Sequence, residues 1–148
     1  AGKFTILFTS DIHAQLHTHD EFFLENGKPV YKKRGGYGVL KTMIDTLRAE
    51  DPQNTLVIDG GDCFQGGGVA AMSEGRAIVP LMNHIGYDLI LPGNWEVVDG
   101  KEIMLKDLGG YRAAKVCANM WHEKVFEGCP PCSDLHGDQA GELIFPPY

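Results

Sequence analysis

Apolar and polar positions fall in alternating blocks along the chain, and most block boundaries carry residues able to do chemistry. Phe4 to Ser10 (FTILFTS) is a short β-branched, apolar run that stops abruptly at Asp11, which predicts a strand buried on both faces. Residues 11 to 37, rich in His, Gly, Lys and Asp, read as a long loop. From Gly38, the residues Val39, Leu40, Met43, Ile44 and Leu47 recur at helical spacing as far as Glu50. Asp51-Pro52 stops that helix, and Thr55 to Asp59 (TLVID) predicts a second buried strand. A glycine-rich stretch, Gly60 to Gly68, leads into helical sequence through Ile85. Asp88 to Leu91 predicts a third strand, broken by Pro92-Gly93. Ile103, Met104 and Leu108 mark a short helix closed by Gly109-Gly110, and Ala114 to Ala118 predicts a fourth strand.

Successive β-α units imply an α/β fold with a mostly parallel sheet and helices on its faces. Residues 1–148 then read as part of one domain, with 119–148 an irregular tail or insert rich in Cys, Pro and Gly. In such sheets ligands bind beyond the carboxyl ends of the strands. Here those ends carry Asp11 and His13, then Asp62, then Asn94 and Glu96, then Asn119. Parallel strands point the same way, so the loops gather at one edge.

Composition narrows the field of functions. A chain of 148 residues with 43% hydrophobic and 22% charged residues can bury a core of its own. The net charge of −7 argues against a duplex nucleic acid partner, whose phosphates attract Lys and Arg. It leaves a small anionic substrate open, because bound cations reverse the local sign of a cleft. No apolar run reaches the length of a membrane span. The chain opens at Ala1 without a signal-peptide pattern, which reads as a processed or engineered start.

Asp11-Ile12-His13 sets a carboxylate and an imidazole two residues apart just past a strand end. In an extended segment both side chains share a side and reach one cation. Asp62 comes from the next loop, where flanking glycines let the backbone approach a ligand. A carboxylate can bridge two cations, and Asn94 offers an amide oxygen that adds no charge. Such mixed N/O ligation suits divalent transition metals. One Asp at a strand end is an ordinary turn former; four candidate ligands at three successive strand ends are a pattern.

Asp11-Ile12-His13-Ala14-Gln15, Arg34-Gly35-Gly36-Tyr37, Gly60-Gly61-Asp62 and Gly93-Asn94-Trp95-Glu96 resemble the ordered motifs of the calcineurin-like metallophosphoesterases. Within that superfamily they are similar to the branch containing bacterial 5′-nucleotidases and the thiosulfohydrolase SoxB. The resemblance implies one half of a metallophosphoesterase-type α/β sandwich, the N-terminal part of a dinuclear-metal hydrolase domain. It implies two divalent transition-metal ions, with Mn, Zn or Fe the leading candidates. Asp11 and His13 would hold the first, Asp62 would bridge, and Asn94 would hold the second. The metals would activate water against an electrophilic phosphorus or sulfur centre.

This chain departs from the family at two points. Trp95 stands where the family carries a catalytic His, so no catalytic residue is assigned; an indole N–H donates a hydrogen bond but does not shuttle a proton. The family's three further histidines have no counterpart among His17, His19, His84, His122 and His136, so a C-terminal segment or second chain is expected to complete the site. Trp95 fits either the packing of the rim or contact with substrate, and at this position it resembles the thiosulfohydrolases, whereas Asn94 matches the phosphoesterases.

Three functions stay open: a phosphoesterase acting on nucleotides or related small phosphates, hydrolysis of a sulfur–sulfonate bond on a carrier protein, and a non-catalytic binding module. Glu96 and Asp59 read as carboxylates that orient ligands, with Glu96 alternatively capping the next helix. Cys129-Pro130-Pro131-Cys132 reads as a local disulfide or a pair of free thiols; redox and zinc readings, the latter with His122 and His136, rank below it. Cys63 reads as small buried packing. Four cysteines, with the export typical of the related enzymes, point to a periplasmic or extracellular location.

Overall fold

Thr5–Thr9 (β1) and Thr55–Asp59 (β4) pair in parallel, with Thr5 opposite Thr55 and Thr9 opposite Asp59, in a computed structural model that describes residues 2–120 and 143–146. Leu89–Ile90 (β5) pairs in parallel on the other side of β4. Ala114–Lys115 (β6) completes the order β1-β4-β5-β6, with the Ala114 N–H bonded to the Asp88 carbonyl. The predicted α/β class with a parallel sheet is therefore found, although the last strand is two residues rather than five.

Helices supply most of the core beside the sheet. Tyr37–Glu50 (α1) packs against Val79–Ile85 (α3), and the core beneath is built from Val57, Ile78, Met82, Ile85, Ile90 and Leu108. Each such side chain contributes roughly 1.5–3 kcal/mol on burial. Lys101–Gly109 (α4) supplies Met104 and Leu108. Gly68–Ser73 (α2) follows the glycine-rich stretch, and the helical sequence through Ile85 is made of α2 and α3. The Arg48 guanidinium joins α1 to the start of β5 through the Asp88 carboxylate (2.5 Å) and the Gly86 carbonyl (2.9 Å).

The long loop expected over 11–37 is half wrong. His19–Glu25 (β2) and Lys28–Arg34 (β3) form an antiparallel hairpin, Phe22 opposite Tyr31. Its two-residue turn is Asn26-Gly27, with φ of 53° and 74°, the left-handed pair that matches the twist of a hairpin. Phe22, Leu24 and Tyr31 stay exposed, so the hairpin lacks the buried face by which a strand is normally recognised.

Burial of β1 is also corrected. Phe4, Ile6 and Phe8 are about 60% exposed, while Thr5, Leu7 and Thr9 are half-buried. Helix α1 behaves likewise: Tyr37 and Ile44 face the core, and Val39, Met43 and Leu47 face outward. The apolar stripe read from the sequence thus serves two surfaces, because a β1 at the edge of the sheet has one face without a covering layer here.

The molecule divides into two compact units, Ala1–Ala114 and Lys115–Tyr148. In the second, the Cys117 N–H donates to the Pro146 carbonyl and the Ile144 N–H to the Met120 carbonyl. The Cys117 thiol donates to Asn119 Oδ1, so Asn119 has a local partner. Cys129, Cys132, His122 and His136 lie outside the described residues. Among the described residues no helix is long and apolar enough to cross a membrane.

Candidate metal centre

The parallel register delivers the ends of β1, β4 and β5 to one edge, and backbone hydrogen bonds then lace the first two loops together. Asp11 N–H donates to the Gly61 carbonyl and His13 N–H to the Asp62 carbonyl, both at 3.0 Å. Asp11, His13 and Asp62 thereby bring one ligand atom each to within 4.8 Å of one another. The pleat is not what aligns Asp11 with His13. Both residues are left-handed (φ 56° and 47°), as are Ala14 and Asp62, so the two side chains meet across a tight turn. Each left-handed non-glycine residue costs roughly 1–2 kcal/mol, a strain that proteins keep chiefly at functional sites.

The chemistry of the donors fits a cation. His13 Nδ1 lies 3.1 Å from the Gln65 carbonyl oxygen, which can only accept, so Nδ1 carries a proton and Nε2 is the nitrogen left free to ligate. That Nε2 sits 3.7 Å from Asp11 Oδ1. Two carboxylates and an imidazole nitrogen gathered in so small a space are a donor set suited to a positive charge between them. Ser10 Oγ donates to the other oxygen of Asp11, turning that carboxylate. Asp62 is buried, and its Oδ1 accepts the Trp95 backbone N–H at 2.7 Å.

Asn94 is exposed in the turn after β5, next to the residue whose amide grips Asp62. The Trp95 indole is 44% exposed and stands edge-on to the His13 imidazole, ring centroids 5.9 Å apart. It forms a wall of the centre rather than part of the core. His84 is exposed on α3, and His19 pairs with Glu21 on the hairpin at 3.0 Å.

Beneath the ligands lies a polar layer that strand patterning did not reveal. Asp59 is fully buried, accepting from Thr9 Oγ1 (2.5 Å), Gly61 N–H (2.9 Å) and the Cys63 thiol (3.6 Å). Tyr87 shares Thr9 Oγ1 at 2.8 Å, and Tyr111 reaches the Cys63 sulfur at 3.7 Å. Asp59 therefore orients the floor of the β4 loop and touches none of the three ligand side chains through these bonds. Burial pushes the Cys63 thiol far above its ordinary range, as expected of inert packing.

Burial also pushes the Asp59 carboxyl up, offset in part by its hydrogen bonds from Thr9, Gly61 and Cys63. A raised folded-state value means that this group's stabilisation is full below the ordinary carboxylate pKa of about 4 and is lost as pH rises through the raised value. The stability difference between wild type and Asp59→Asn is accordingly expected to be greatest at acid pH and to shrink toward neutrality. Chemical denaturation of both proteins between pH 4 and pH 8 checks this, and a constant difference would contradict it.

Comparison with known proteins fits this geometry. The family model for calcineurin-like phosphoesterases matches residues 4–143. The chain belongs to the calcineurin-like phosphoesterase family. Phosphoesterase relatives include a probable 5′-nucleotidase of Treponema pallidum, 36% identical over 154 residues covering 97% of this chain and 25% of that protein. The Haemophilus influenzae NAD nucleotidase structure superposes with a TM-score of 0.74 at 27% identity, over 80% of this chain and 23% of that one. The Thermus thermophilus sulfate thiohydrolase SoxB gives a TM-score of 0.72 at 22% identity, covering 99% and 32%, a likeness of fold. The chain thus spans about a quarter of the length of the Treponema relative, as part of a phosphoesterase-type hydrolase fold.

Proposed function

We propose that this segment forms the N-terminal part of a dinuclear-metal hydrolase that acts on a phosphoester, a nucleotide or related small phosphate. The observation that carries the reading is the convergence of Asp11, His13 and Asp62 at the ends of two parallel strands, with the His13 tautomer set for ligation. Asp11 and His13 would hold one divalent ion, Asp62 would bridge, and Asn94 would add a neutral oxygen to the second. When bound, two such ions, Mn, Zn or Fe, supply Lewis-acid activation of water and stabilise charge on the phosphoryl oxygens. Further ligands would come from chain beyond this segment, in keeping with the greater length of the relatives.

The chain's own residues shape what happens beside the metals. The Gln65 carbonyl keeps the proton of His13 on Nδ1, away from the substrate side. Trp95 walls the centre with an apolar ring and offers only an N–H donor, which can bind a phosphoryl oxygen but cannot protonate a leaving group. Trp95 also supports a second reading, hydrolysis of a sulfur–sulfonate bond on a carrier protein, where a sulfur leaving group departs without needing a proton. A periplasmic or extracellular location suits both readings.

The test is metal content and a substrate panel on the whole protein. Two metal equivalents per chain after dialysis and metal-dependent turnover of AMP or p-nitrophenyl phosphate are expected. Turnover of a thiosulfonate-modified cysteine peptide alone would select the second reading. Absence of metal-dependent turnover on all three substrates would leave a binding module of the same fold.

A further inference from the structure

We propose that Glu96 is a positioning residue that locks the loop after β4 to the loop after β5 and so sets the spacing between the Asp62 and Asn94 ligands. The inference rests on the metal-centre reading above. Glu96 is 2% exposed, and among the described residues no Lys or Arg forms an ion pair with it. Its charge is met by backbone amides. Oε2 accepts Asp62 N–H at 2.8 Å and Gly93 N–H at 2.6 Å, while Oε1 accepts Cys63 N–H at 2.7 Å and Phe64 N–H at 3.4 Å.

The grip is reciprocal. Glu96, from the β5 loop, holds the backbone of the β4 loop, and Asp62, from the β4 loop, holds the Trp95 amide of the β5 loop at 2.7 Å. Asp62 is left-handed at φ 58°, a conformation that persists only where its surroundings over-determine it. A helix-capping role for Glu96 does not fit, because α4 begins at Lys101 after Gly100 and has no side-chain cap bond. A carboxylate is required rather than any polar group of that size. Both of its oxygens accept, whereas Gln would turn an NH2 group toward amide donors. Leaving buried amides facing a donor disturbs the loop that carries Asp62 more than the distant core.

Manganese titration calorimetry on the whole protein, well below its melting temperature, tests the idea with wild type, Glu96→Gln and Glu96→Asp. A roughly 10–100-fold weaker manganese affinity is expected for Glu96→Gln, with kcat lowered more than KM is raised. Glu96→Asp keeps the charge but is one methylene short, and should fall between; it also carries the test if the Gln variant does not fold. Wild-type affinity and kcat in a folded variant, with only a lowered melting temperature, would overturn the proposal by reducing Glu96 to scaffold. Failure of the metal-stripped wild type to bind manganese, zinc or iron would instead refute the metal-centre reading itself, and this inference with it.

Discussion

Asp62→Ala is expected to lower kcat/KM of the whole protein toward a phosphomonoester by about 10³-fold or more, roughly 4 kcal/mol of lost transition-state stabilisation. Two losses combine. The variant removes the only buried member of the Asp11, His13 and Asp62 group, the one placed between the β1 and β5 loops. It also strips the Trp95 amide of its acceptor, a part-buried bond worth about 1 kcal/mol of stability. Asp62→Asn separates the two effects, since an amide oxygen can still receive the Trp95 N–H while binding metal less strongly. Steady-state kinetics with metal analysis on both variants is the check. Near-normal stability with a large kinetic loss is expected for Asn, and both losses for Ala. Full activity and metal content in Asp62→Ala would remove Asp62 from the centre.

Gly61→Ala should destabilise the fold by about 3–5 kcal/mol, from a left-handed backbone and a collision added together. Gly61 has φ 94°, and a Cβ there would lie 2.2 Å from Gly93 N, 2.7 Å from Gly93 Cα and 2.8 Å from the Leu91 carbonyl oxygen. All three are backbone atoms, which cannot swing aside as a side chain would. The partner glycine is as tightly held: a Cβ on Gly93 would fall 2.2 Å from Asp62 Oδ1. The loops after β4 and β5 cross closely enough for Glu96 to span them because both lack a β-carbon. Gly100 provides the reference, with the same φ of 94° and nothing within 4 Å of an added Cβ. Gly100→Ala then reports backbone strain alone, on the order of 1 kcal/mol. Denaturant midpoints for the two variants test the difference; equal losses would mean that the crossing can relax.

Much of this is legible in the sequence, for a definite reason. Abrupt apolar-to-polar switches at Asp11 and after Asp59 mark strand ends, and parallel strands place such ends together whatever lies between them. The failures have physical causes too. Asn26-Gly27 is a strong hairpin signal, yet in His19–Glu25 and Lys28–Arg34 only Phe23, Val30 and Lys32 are even half-buried, and the clean alternation that marks a half-buried strand is missing. Pleat geometry predicts the Asp11–His13 pair, but left-handed turns align it; Asp and His adopt positive φ more readily than most residues, yet usually do not, so residue type alone does not announce the turn. Glu96 was open to two meanings because a carboxylate a few residues ahead of a helix can cap it or bind elsewhere, and only the four amides decide. The polar layer of Thr9, Asp59, Cys63, Tyr87 and Tyr111 draws on four separate stretches of chain, so no local pattern could assemble it.

The outward face of β1 has a consequence for the way this segment comes apart. Thr5–Thr9 is uncharged, free of Gly and Pro, rich in β-branched and aromatic residues, and lies at the edge of its sheet with Ile6 and Phe8 bare. Those are the attributes of a sequence that recruits identical strands into cross-β stacks. Heating is therefore expected to drive unfolded copies into aggregates faster than they refold, with an apparent melting point that moves with scan rate and protein concentration.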